Sequence, residues 1–162
     1  MSNHSTGKWL EHVVASDIGG RLQPGSGCLP FAKGDVINDI FLVECKASIR
    51  DGIRIPYEWI LKIKHHAQCH ERLWALAVGP RMQYTDNYYV LVPEEMIEDA
   101  TGYPHGAAKG LTIEHKLPGE GPWIWRDTPW GMMTRIQFRD LNKSLLERLS
   151  LSPDKKQKFS RR

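Results

Sequence analysis

The stretch Lys33-Gly34-Asp35-Val36-Ile37-Asn38-Asp39-Ile40-Phe41-Leu42-Val43-Glu44-Cys45-Lys46 constrains the fold more than any other part of the chain. Two β-branched and apolar runs, residues 34–37 and 40–46, flank Asn38-Asp39, a pair suited to the positive φ angles of a two-residue hairpin turn. That turn predicts a register with Ile37 opposite Ile40, Val36 opposite Phe41 and Asp35 opposite Leu42. Opposed side chains of an antiparallel pair share a face. Asp35, Leu42, Glu44 and Lys46 are therefore expected on one face, and Phe41, Val43 and Cys45 on the other, turned into a core.

In this register Asp35 and Glu44 are diagonal cross-strand neighbours, roughly 7–8 Å apart at Cα, from which two carboxylates can converge on one cation. Hard divalent cations such as Mg²⁺ favour this donor set: one or two carboxylates, with water and substrate phosphate completing the shell. Such an ion polarises a phosphoryl oxygen and supplies hydroxide near neutral pH, while a nearby ammonium orients the water or stabilises developing charge. Lys46, one pleat repeat beyond Glu44, suits that last role.

The order of residues around this hairpin adds to the pattern. Glu11 lies in a first predicted helix, followed by Arg21-Leu22-Gln23-Pro24-Gly25-Ser26-Gly27, then Lys33-Gly34-Asp35-Val36, then Phe41-Leu42-Val43-Glu44-Cys45-Lys46. In this order the chain resembles the PD-(D/E)XK nuclease superfamily, and within it the archaeal-type Holliday junction resolvases and their phage relatives. The resemblance spans about residues 8–100; Gly34 stands where the superfamily's nominal Pro would be. It implies an α/β fold with a restriction-endonuclease-like core, a mixed central sheet flanked by helices.

The resemblance also implies one active site lined by Glu11, Ser26, Asp35, Glu44 and Lys46. Asp35, Glu44 and the Cys45 backbone carbonyl would hold Mg²⁺, for which Mn²⁺ substitutes, and Glu11 would complete the metal or water shell. Lys46 would position the attacking water and Ser26 would touch the scissile phosphate. Arg21, Gln23, Ser26 and Lys33 would contact DNA. The implied partners are branched DNA and a second copy of the chain, because paired cuts across a junction need two sites related by a twofold axis. No nucleotide cofactor and no membrane are expected. Endonucleases of the same fold acting on nicked, flapped or duplex DNA, and a noncatalytic DNA-binding protein on the same scaffold, are the alternatives.

Elsewhere the chain of 162 residues suits a single domain over residues 8–150, with a leader at 1–7 and a basic tail at 151–162, both expected to be disordered. Cys28, Cys45 and Cys69 are an odd number at irregular spacings, which with the absence of a signal-peptide pattern or long apolar run predicts an intracellular, cytoplasmic protein. Within residues 152–162, Lys155, Lys156, Lys158, Arg161 and Arg162 stand against Asp154, so this tail carries +4 of the net +3 and the other 151 residues carry −1. A globally basic nucleic-acid binder is thereby excluded; affinity for DNA would come from a local patch, a bound metal or the tail.

Apolar spacing predicts a helix over residues 8–18, ended by Gly19-Gly20, and another over about 57–73 with Ile60, Ile63 and Ala67 on its stripe. Residues 74–78 and 88–92 read as strands, residues 93–100 as a short helix, and 134–149 as ending in a helix whose apolar stripe needs a partner. Residues 101–131 form a Gly/Pro-rich excursion carrying Trp123, Trp125 and Trp130, which either stack on unpaired bases or cover a sheet edge or interface. His65, His66, Cys69 and His70 form helical pairs that do not share a tight face, so a zinc site is not expected there.

Overall fold

Residues 73–79 and 89–93 are buried at every position, as strands covered on both faces must be, and they form the centre of a mixed sheet. The structure is a computed structural model that describes residues 3–24, 34–81, 86–98, 106–107, 110–114, 117, 120–124 and 128–152. In chain order its elements are α1 (Asn3–Ile18), β1 (Arg21–Leu22), β2 (Val36–Ile37), β3 (Phe41–Ala47), β4 (Gly52–Pro56), α2 (Tyr57–Cys69), β5 (Leu73–Gly79) and β6 (Tyr89–Pro93). A 3₁₀ turn (Glu94–Met96), β7 (Gly106–Ala107), β8 (Gly110–Glu114), β9 (Trp123–Ile124), β10 (Trp130–Thr134) and α3 (Arg135–Leu151) follow. The main sheet has the order β1-β2-β3-β5-β6-β10-β9 and a smaller one β4-β8-β7. Only the β3–β5 pairing is parallel among the described strands, and its crossover passes through β4 and α2. The protein is thus mixed α/β, with a mostly antiparallel central sheet and three α-helices among the described residues.

Strand alternation sorts the apolar residues into two layers. Phe41, Val43 and Cys45 of β3 join Ala75, Ala77, Val90 and Val92 under Leu10, Val14 and Ile18 of α1 and Phe138 and Leu145 of α3. Leu42, Trp74, Leu76, Val78 and Leu91 face the opposite way, against Ile60, Ile63 and Ala67 of α2 and Ile53, Ile55, Leu111 and Ile113 of the small sheet. The expected core face of β3 is therefore correct. The α3 stripe packs on the chain's own sheet rather than requiring a second subunit: Phe138 lies 5.0 Å from Phe41 between ring centroids, and Leu141, Leu146 and Leu149 pack on the same layer.

Several expectations are corrected. Helix α1 begins at Asn3, and Thr6 within it is fully buried, so residues 3–7 belong to the fold rather than to a leader. Helix α2 ends at Cys69, four residues before Leu73, because Glu71 takes a left-handed φ of 54° and Leu73 already pairs with Phe41. Residues 52–56, just ahead of the helix expected from about residue 57, form β4. The excursion at 101–131 supplies β7 to β9, and Trp123 and Trp130 are 2% and 3% exposed, so they are core residues and cannot stack on bases. Trp130 packs on Tyr57 and Trp123 on Tyr89, with centroids 5.0 and 6.1 Å apart. Only Glu94–Met96 of the helix expected over 93–100 is helical among the described residues. Ser26, Lys33, Trp125 and the basic stretch 153–162 lie outside the described residues.

Candidate active site

The hairpin that carries the candidate carboxylates turns one residue later than its sequence suggests. Asn38 flanks the turn instead of occupying its centre: its backbone N–H donates to the Phe41 carbonyl at 3.0 Å, and its Oδ1 accepts from the Ile40 and Phe41 N–H groups at 2.8 and 2.7 Å. This is the side-chain-to-backbone turn that Asn forms readily. Its Nδ2 donates to the Ile18 carbonyl and to Asn142 Oδ1 at 3.0 and 2.8 Å, which ties the hairpin to the end of α1 and to α3. The side chain's two donor hydrogens and its acceptor oxygen are all engaged.

Asp39-Ile40 therefore form the turn, Ile37 pairs with Leu42, and Val36 pairs with Val43. The register differs from the expected one by a whole pleat repeat, which is why the core face of β3 is unchanged. A regular ladder in this register would put Asp35 directly opposite Glu44. Instead the Asp35 N–H donates to the Val43 carbonyl at 2.9 Å while its own carbonyl accepts from the Gln23 N–H at 2.9 Å. Two consecutive residues, Asp35 and Val36, meet the single residue Val43, the arrangement of a β-bulge, which re-aims a side chain at the end of a strand. Gly34 precedes the bulge with φ +80°, and a Cβ there would lie 2.7 Å from the Leu42 side chain. Proline, fixed near −65°, cannot take that conformation.

Re-aimed by the bulge, Asp35 Oδ2 accepts the Cys45 N–H at 2.7 Å in a site where Asp35 is only 8% exposed. The N–H and C=O of one strand residue point to the same edge, so the Cys45 carbonyl projects toward the Asp35 side of β3. On the same strand, Glu44 Oε1 accepts from Lys46 Nζ at 2.7 Å, with both side chains partly exposed. The Lys46 ammonium also lies 5.1 Å from the centroid of the Trp59 ring on α2.

Glu11, half-buried on α1, completes the group. Burial pushes its carboxyl above the ordinary value of 4.5, and the charges of Asp35 and then Glu44 push it further, against the opposing pull of Lys8 and Lys46. Between the ordinary and the raised value the folded protein thus holds a proton that the unfolded chain has already released. Stability from this group is largest in acid and falls as pH rises from the ordinary carboxyl range through the raised value. Glu11→Gln is expected to raise the melting temperature of the metal-free protein modestly near pH 7, with the gain vanishing below about pH 4. Thermal melts in chelator at the two pH values check this; equal gains at both would contradict it.

The donors gathered here are oxygens. The Cys45 thiol is turned into the core, and burial, followed by the charges of Asp35, Glu11 and Glu44, holds it protonated well above its usual range. A soft-metal thiolate ligand is therefore disfavoured, and two carboxylates with one carbonyl fit a hard cation such as Mg²⁺ or Mn²⁺. Among the described residues no group of three His, Cys, Asp or Glu side chains could by itself hold a metal ion. His65 Nε2 and Cys69 Sγ approach to 3.9 Å on the exposed side of α2 without a third ligand group among the described residues.

The charges of Asp35, Glu44 and Lys46 thus all reach Glu11, while Ser26 and Lys33 are outside the described residues. Arg21 is exposed on β1, at the sheet edge, and Gln23 contributes its backbone to the Asp35 bulge. Sequence reasoning missed Asn38 and Trp59. The first was hidden because an Asn next to Asp reads as a turn centre, the second because a Trp on a helix reads as core. Comparison of the chain with protein-family models, curated proteins and solved structures gives no match. Among the described residues no helix is long and apolar enough to cross a membrane.

Proposed function

We propose that the chain is a Mg²⁺-dependent DNA endonuclease of PD-(D/E)XK type with a restriction-endonuclease-like core, acting as a Holliday junction resolvase. The observation that carries the reading is the bulge at Asp35, which brings its carboxylate to the Cys45 amide beside the Glu44–Lys46 pair. Asp35, Glu44 and the Cys45 carbonyl would hold the ion. Mg²⁺, when bound, supplies Lewis-acid polarisation of a phosphoryl oxygen and a more acidic water. Lys46, a donor fixed at the mouth of this group, orients the attacking water and stabilises charge on the phosphoryl oxygens. Glu11, whose carboxyl is biased toward holding a proton, accepts a hydrogen bond from, or a proton of, that water. Attack at phosphorus breaks the bond to the 3′ oxygen and leaves a 3′-hydroxyl and a 5′-phosphate. A homodimer places two such sites for paired cuts.

The testing experiment is cleavage of a labelled four-way junction beside its linear duplex arms, in Mg²⁺ or Mn²⁺ and in chelator, at moderate salt where nonspecific affinity is weak. Paired symmetric nicks in the junction alone are expected. Equal cutting of both DNAs would keep the nuclease and discard the resolvase. Binding without cleavage in either metal would leave a DNA-binding protein on a nuclease scaffold.

A further inference from the structure

Lys46 is held from two directions. Its ammonium is 2.7 Å from Glu44 Oε1 and 5.1 Å from the centroid of the Trp59 ring. The side chain is 32% exposed, so about a third of it faces solvent, and a lysine has four rotatable bonds by which it can swing away. Trp59 cannot follow such motion, because it is half-buried on α2 and packs on the layer containing Ile60, Ile63, Leu42 and Leu76.

The two partners differ in what else they do. Under the proposed function, on which this inference rests, Glu44 is also a ligand for a divalent cation, and a carboxylate oxygen given to that cation is withdrawn from the ammonium. An indole face has no such second role. It attracts a cation through its ring quadrupole and offers nothing that a Mg²⁺ ion with its tightly held waters would take. We propose that Trp59 is a positioning residue for Lys46: its ring keeps the ammonium at the site while Glu44 serves the metal. The contact joins α2 to β3, so it also couples the crossover helix to the reacting strand.

The test uses the full chain with lysines labelled with carbon-13 at Cε, the Lys46 signal being assigned by its loss in Lys46→Arg. The ring current should shift the Lys46 ε-protons upfield of the other lysines, both in chelator and in excess Mg²⁺. Trp59→Leu should abolish the shift and Trp59→Phe should retain most of it. In junction cleavage, Trp59→Leu is expected to lower kcat about five- to tenfold with KM unchanged, the size expected when one cation–π contact is lost. Trp59→Phe should restore the rate to within about twofold, because it keeps a ring face.

An unshifted Lys46 signal in the wild type, a Trp59→Leu enzyme that cleaves normally, or a change in KM alone would overturn the proposal. A wild type that shows the shifted signal but cuts no DNA would overturn the nuclease reading, and with it the catalytic role of Trp59. The magnetic-resonance arm thus separates failure of the contact from failure of the function.

Discussion

Under the proposed function, Asp35→Asn is expected to slow metal-dependent cleavage on the order of 10³-fold while leaving the fold intact. The asparagine is nearly isosteric, and its side-chain oxygen can still accept the Cys45 N–H that Asp35 Oδ2 accepts at 2.7 Å. The backbone bonds that shape the bulge, from Asp35 to Val43 and from Gln23 to Asp35, do not involve the side chain. What is lost is one negative charge and a ligand oxygen. Lewis-acid stabilisation contributes several kcal/mol to such reactions, so forfeiting about 4 kcal/mol lowers the rate on the order of 10³-fold. A second readout does not need DNA. A ligand that binds only the folded state stabilises it by about 2.7 kcal/mol at a hundred times its Kd, so Mg²⁺ or Mn²⁺ should raise the melting temperature of the wild type. Asp35→Asn should lose that rise, and it should melt slightly higher than wild type in chelator because one source of repulsion on Glu11 is gone. A metal-induced rise unchanged in the variant would remove Asp35 from the site.

The parts of this arrangement that could be read from the chain are those set by local pattern. The apolar runs now seen as β5 and β6, the stripe Ile60, Ile63 and Ala67, and the alternation Phe41, Val43, Cys45 against Leu42 follow from periodicities that survive a small error in boundaries. The turn position was not legible. Whether Asn38 or Asp39 leads the turn depends on hydrogen bonds to Ile18 and Asn142, residues 20 and 104 positions away. The bulge is equally nonlocal, since it exists only once Gln23, just after β1, and Val43 of β3 both bond to Asp35.

The small sheet shows the same limit. Ile53-Arg54-Ile55 alternates as a strand should, but its partner is Leu111-Thr112-Ile113, inside a Gly/Pro-rich stretch that reads as loop. The burial of Trp123 and Trp130 follows from that pairing and from β10 adding to β6. Candidate residues were legible by type and order. Their convergence depends on how α1 is held against the sheet, and Asp17 is central to that.

Asp17→Ala is expected to destabilise the protein more than any other single exchange of a polar residue outside the candidate site. The Asp17 side chain is 6% exposed and receives Arg135 in two-pronged fashion, Nε to Oδ2 at 2.7 Å and Nη2 to Oδ1 at 2.9 Å. Tyr88 Oη donates to the same Oδ2 at 2.7 Å, and burial followed by this bond pushes the phenol far above its ordinary range, so it remains a donor at every working pH. One carboxylate therefore links the last turn of α1 to the first turn of α3 and to the entry of β6. Alanine removes the partner of the fully buried Tyr88 hydroxyl, and among the described residues it leaves Arg135 its bond to the Asp86 carbonyl and its place over the Tyr88 ring, 5.6 Å from the centroid. Breaking a buried pair by removing one partner costs about 3–5 kcal/mol. Because Arg135 is 26% exposed and can regain water, the lower end, about 3 kcal/mol, is expected. For a chain of this size that lowers the melting temperature by roughly 6–12 °C. Tyr88→Phe should cost only about 1 kcal/mol, the value of one hydrogen bond. Arg139→Ala should be close to neutral, since that contact is 3.8 Å long and its guanidinium is 53% exposed. Urea melts of the three variants would order them, and an Asp17→Ala protein as stable as Arg139→Ala would mean that the bonds to Asp17 do not help to hold α1. Glu11 lies six residues before Asp17 on the same helix, so a loosened α1 should also weaken cleavage in proportion to the fraction of molecules in which the helix has left the sheet.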